Sequence, residues 1–114
     1  MITLPGVDPN MIANNLTPSE PIHPGELLID ELEARGIKQS QLAKEIGMSP
    51  SLLNEIVKGK RAVTTEYAML FEAALGIDAD FWLRTQADYN KQMARADASF
   101  MARLANIRRI AAML

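Results

Sequence analysis

Cysteine is absent from this 114-residue chain, which excludes disulfides and thiolate metal sites and leaves the redox compartment open. Histidine occurs once, at His23 between prolines, with no second ligand cluster, so a helix cap or turn role is favoured over metal binding. There is no carboxylate pair in a suitable setting and no phosphate-cradling glycine loop, and Glu31 and Glu33 read as a solvated helix face. No catalytic residue, cofactor or metal is therefore expected, and enzymes drop out on inventory. No apolar run approaches the ~20 residues of a membrane span, and the first residues lack the basic start and apolar stretch of a secretory signal. A cytoplasmic protein without a membrane partner is the expectation. Period-two alternation and internal repeats are missing too, so the fold class is all-α.

Hydrophobic residues make up 48% of the chain and charged residues 23%, the balance of an ordinary globule with enough length for a core of its own. The net charge of −2 conceals an uneven distribution. Residues 1–57 carry eight acids and three bases. Lys58, Lys60 and Arg61 then place three positive charges within four residues. Residues 62–90 return to an acidic balance, and residues 91–114 hold five bases against one acid. Local charge facing phosphates matters more for nucleic-acid binding than the total, and a dimer would present each basic patch twice.

Five of the six prolines fall in residues 1–24, with Gly6, Asn10, Asn14 and Asn15 among them. Residues 1–22 are read as an extended arm, with room for one helical turn over 10–16. His23, Pro24 and Gly25 form a hinge into the first firm helix, over 25–35, where Leu27, Leu28 and Leu32 recur at helical spacing. Gly36 stops it. A second helix spans 39–46 with Leu42, Ala43 and Ile46 inward, and Gly47 ends it. Ser49 caps a third helix, Pro50 occupies its first position, and Leu53, Ile56 and Val57 carry it to Gly59. Thr64 or Thr65 caps a fourth helix to about Leu75. A fifth begins near Ala79 and completes a domain over 23–92. From Ala98 the stripe Phe100, Leu104, Ile107, Ala111, Leu114 marks an amphipathic helix in a terminal segment of residues 93–114, with Arg103, Arg108 and Arg109 off the stripe. Its repeat near 3.5 is a helix-pairing pattern, suited to dimer or partner contact.

The segment "QSQLAKEIGMSPSLLNEIVKGKR" combines helix, glycine, short turn and helix. Ala43 sits where two helices must approach closely. Gly47 sits in a turn that calls for positive φ. Leu53 and Ile56 hold the second helix down so that its outer face is free. This constellation is similar to the helix-turn-helix of the family that includes the phage 434 and lambda repressors. The resemblance implies a five-helix domain that binds double-stranded DNA through the helix at residues 49–59. Carried over position by position, it implies that Gln39 meets a phosphate or packs on the recognition helix. Pro50, Ser51 and Glu55 then face the bases with Asn54 nearby, the capping Ser49 belongs to the same DNA-binding set, and Lys58, Lys60 and Arg61 lie along the phosphate backbone. These are mild readers. Pro50 has no donor, Ser51 is short, and Glu55 accepts from cytosine N4 but is repelled by phosphate. Dimer spacing and DNA shape are expected to supply much of the specificity.

Two flanking motifs narrow the family. "PIHPGELL" over 21–28 and "ALGIDADFWLRTQADY" over 74–89 resemble the opening and closing signatures of HigA-type, VapI-like antitoxins. The resemblance covers about residues 20–92 and implies a type II antitoxin that binds operator DNA as a homodimer, repressing its own operon. Its implied protein partner is a RelE-like toxin, HigB, which cleaves mRNA on the ribosome. A stand-alone regulator of the same fold, and a protein-binding inhibitor without DNA binding, are the competing readings. Phe81, Trp82 and Leu83 are three large apolar neighbours that one helix cannot bury together. With Tyr89 they are expected to form the dimer interface.

Overall fold

A computed structural model describes residues 20–114, and all regular structure within them is helical. Six helices follow one another: α1 Pro24–Arg35, α2 Gln39–Ile46, α3 Pro50–Val57, α4 Thr65–Leu75, α5 Ala79–Ala96 and α6 Ala98–Ala111. The arm expected over residues 1–22, including its possible turn at 10–16, lies almost wholly outside the described residues. None of the six helices is long and apolar enough to cross a membrane.

The local chemistry explains where each helix starts. The His23 ring accepts a hydrogen bond from Gly25 N–H at 2.9 Å, and Glu26 Oε2 accepts from His23 N–H at 3.0 Å. This reciprocal cap satisfies two amides at the start of α1, with Pro24 at the first position, where its missing donor costs nothing. Ser49 Oγ accepts from Leu52 N–H at 3.1 Å to cap α3, and Thr64 and Asp78 cap α4 and α5 in the same manner. Gly47 has φ 69° and lets the chain reverse while Met48 N–H returns to the Ala43 carbonyl at 2.9 Å.

The hinge expected at 23–25 is not one. His23, Pro24 and Gly25 are all buried, and the reason is the approach of α1 to α3. A Cβ on Gly25 would lie 2.1 Å from the Ile56 carbonyl oxygen and 2.9 Å from Val57 Cα. Only glycine allows the two backbones to meet there.

Leu28 and Leu32 of α1, Leu42 and Ala43 of α2, Leu53 and Ile56 of α3, and Ala68, Phe71 and Leu75 of α4 close one core with Val63 and Trp82. Ring centroids of Phe71 and Trp82 lie 5.5 Å apart, edge to face. The fifth helix runs past the domain end expected at 92, continuing to Ala96. Asp97 then breaks it and caps α6 through a bond from Phe100 N–H at 3.0 Å. No residue of α6 is buried.

Candidate nucleic-acid interface

Helix α3 is fastened from beneath and open above. Leu53 and Ile56 are fully buried, whereas Ser49, Pro50 and Ser51 are exposed and Asn54 and Glu55 half-exposed. The three-residue rhythm of a short helix produces this division: positions 53 and 56 face the core, and 50, 51, 54 and 55 occupy the opposite edge. Gln39, the first residue of α2, reaches across the turn, and its Nε2 donates to Asn54 Oδ1 at 3.4 Å. One residue thus links the two helices of the motif at their solvent edge.

Beyond α3 the chain turns at Gly59 into a basic loop. Lys58, Lys60 and Arg61 are at least partly exposed there, beside the carboxyl end of the helix. Arg61 Nη2 lies 3.3 Å from Glu55 Oε2, an exposed pair of small energetic weight, while no carboxylate among the described residues pairs with Lys58 or Lys60. Glu55, expected either to face a base or to solubilise the helix, is also the ion-pair partner of Arg61 at the outer edge of α3.

The loop is held in place by two residues of α5. Gln86 is buried, and its Oε1 accepts from Val63 N–H at 2.8 Å while its Nε2 donates to Asn90 Oδ1 at 3.0 Å. Tyr89 lies edge-on to the His23 ring at 4.9 Å. His23 in turn faces the Arg61 backbone and lies within van der Waals reach of Gly59, 3.5 Å from where a Cβ there would sit. Burial lowers the pKa of this histidine, partly offset by the nearby Glu26 carboxylate and the Arg61 backbone. The ring is thus neutral at physiological pH, with Nδ1 free to accept from Gly25.

A helix-turn-helix family profile matches residues 28–82, from within α1 to the first turn of α5. Virulence-associated protein I of Dichelobacter nodosus is 42% identical over 77 residues, which cover 67% of this chain and 71% of that protein. An addiction module antidote protein of the HigA family from Coxiella burnetii has a solved structure with 32% sequence identity and a TM-score of 0.66, over 70% of this chain and 88% of that one. The chain belongs to the HigA family of helix-turn-helix antitoxins. A further HigA antitoxin, from Pseudomonas aeruginosa, has been solved with the higBA promoter; it is 32% identical, with a TM-score of 0.65, over 80% of this chain and 91% of that one.

Within the HigA fold, Ser49, Pro50, Ser51, Asn54, Glu55, Lys58, Lys60 and Arg61 lie along α3, its cap and the loop that follows, and Gln39 joins them from the start of α2 through Asn54. The aromatic group divides instead. Trp82 is only 1% exposed and packs on Phe71, so it is a core residue with no surface to offer a second subunit. Leu83 is half-buried against the same core, and Tyr89 is half-buried on His23. Phe81 alone of the four is open, at 40% exposure. The reason is rotational: α5 sits on α4 and α1 along the face of Trp82 and Gln86, and Phe81 falls one residue, about 100°, to the side. Gln86 and Tyr89, the end of the closing HigA signature, therefore secure the basic loop and the α1 cap. Their spacing of four and seven residues from Trp82 on one helix face was the available signal for this role.

Proposed function

We propose that the chain is the antitoxin of a HigBA-like pair, which neutralises a RelE-like mRNA-cleaving toxin and represses its own operon by binding operator DNA as a dimer. The observation that carries this reading is the outer edge of α3, open over Pro50, Ser51 and Asn54, continuous with three cations at Lys58, Lys60 and Arg61. Such a surface meets the groove edge with short side chains and the phosphates with point charges. A HigA relative solved on its promoter supports the same use of the motif here.

The readers are short or acidic, so phosphate contacts supply most of the affinity and duplex shape much of the selectivity. Glu55, held by Arg61, either turns to a cytosine amine or remains as the tether that aims the guanidinium at a phosphate. Both DNA and ribosomes are cytoplasmic in a bacterium, so the cytoplasm is the working compartment.

Co-expression with the product of the adjoining gene is the test of the antitoxin part. Rescue of cells from growth arrest by that product, together with co-purification of the two chains, is expected. Absence of any complex with a toxin-sized neighbour would overturn the antitoxin reading and leave a stand-alone regulator of the same family.

A further inference from the structure

Helix α6 has an apolar face that the described residues leave largely uncovered. Phe100, Ile107 and Ile110 are 39%, 49% and 54% exposed, and α5 is the helix it packs against. The polar side of the helix carries Arg103, Arg108 and Arg109 and no acid. Two identical copies of such a helix laid together would bring six arginines side by side with no carboxylate between them, which opposes α6-to-α6 pairing.

The opposite character is found between α1 and α5. A depression of about 520 Å³ is walled by Leu27, Ile77 and Phe81, floored by Trp82 and edged by Asp30 and Glu31. Leu27 also borders a second depression, beside Asp88 and Gln92, so the two form one groove along α5. No cation among the described residues pairs with Asp30, and Gln92 Oε1 is buried without a hydrogen-bond partner. The groove is therefore apolar at its base, left with an acceptor in hand, and rimmed by three carboxylates, of which Glu31 pairs with Arg35 and Asp88 with Lys91 at the exposed surface while Asp30 stands alone. Along α5 it runs from position 81 to 92, about 16 Å at 1.5 Å per residue, and the α6 stripe from 100 to 111 has the same length.

We infer that the α1/α5 groove is the seat for α6 of a second copy of this chain, exchanged reciprocally so that each subunit clasps the other. The stripe of Phe100, Leu104 and Ile107 covers Leu27 and Phe81, and the arginines of α6 face Asp30, Glu31 and Asp88. Residues 1–19 fit the groove less well, because they contain no lysine or arginine and one acid, Asp8. A two-fold exchange buries both grooves and both helices with one self-complementary contact repeated twice. The inference rests on the dimeric reading of the function and adds the surface that makes the dimer.

The absence of cysteine makes a site-specific test clean. In the full chain, Ala34→Cys and Ile107→Cys are made separately and mixed in equal amounts under mild oxidation. A disulfide-linked dimer in the mixture, scarce in either variant alone, is the expected result. Cross-linking of Ile107→Cys with itself, or no cross-link in the mixture, would overturn the exchange. Sedimentation of the uncross-linked protein separates this failure from failure of the dimer itself. A dimer without the mixed disulfide leaves the dimeric reading intact and removes the groove as its seat; a monomer removes both. As a second readout, Arg103→Glu with Arg108→Glu weakens dimerisation at least tenfold, and Asp30→Lys in the same chain restores part of it. Equal dimerisation in all three chains would contradict the charge match.

Discussion

Gly25 and His23 show how much of this interface depends on single residues buried far from its surface. At Gly25 the backbone of α1 meets that of α3, and the atoms a methyl group would strike are the Ile56 carbonyl and Val57 Cα, which no rotamer change can move. Gly25→Ala is expected to destabilise the fold by about 1–3 kcal/mol, the range of overpacked cores. A thermal melt followed by circular dichroism measures this, and an unchanged midpoint would show that α1 and α3 are less tightly apposed. At His23 the folded state keeps the ring neutral, because burial lowers its pKa from 6.5. Below about pH 6.5 the unfolded chain takes up a proton that the folded chain resists, so this contribution to stability is complete above that pH and declines as the pH falls. His23→Asn retains a capping side chain but no titrating ring. It is expected to be less stable overall, with a shallower fall in melting temperature between pH 7.5 and 5.5 than the parent chain. An identical slope in both would remove His23 as the titrating group.

At the scale of elements, the helix-turn-helix was legible because its constraints are local. Gly47, Ser49 and Pro50 each act within a few residues of themselves, and Leu42, Ala43, Leu53 and Ile56 declare their faces by spacing. What the sequence left open was the rotation of α5. Phe81, Trp82 and Leu83 are adjacent and equally apolar, and only packing against Phe71 decides that Trp82 goes in and Phe81 stays out. The hinge reading at 23–25 failed for a related reason: proline beside glycine resembles a flexible joint unless the partner backbone that requires the glycine is known. Gln86 showed its helix face by spacing from Trp82 but not its partner, since Val63 lies 23 residues away. Gln86→Leu removes the acceptor of a buried amide, a loss of about 1–3 kcal/mol. Faster hydrogen exchange at the Val63 amide is expected, with weaker DNA binding as the 60–64 loop loosens. Unchanged exchange would show that the loop is held by other groups.

For the whole molecule, the net charge of −2 says little and its placement says more. The proposed exchange would set the basic face of α6 against the acidic rim of α1 and α5, and would leave the basic cluster at Lys58, Lys60 and Arg61 for the nucleic acid. The central claim is that this cluster and the edge of α3 bind operator DNA. Fluorescence anisotropy on a labelled duplex from the chain's own promoter, titrated between 50 and 200 mM salt, tests it most directly. The parent protein is expected to prefer that duplex over a scrambled one and to lose affinity steeply with salt. Combined alanine substitution of Lys58, Lys60 and Arg61 is expected to weaken binding and to flatten the log–log slope by roughly 0.9 for each phosphate no longer neutralised. Equal affinity for both duplexes, or a triple variant with unchanged affinity and slope, would contradict the account.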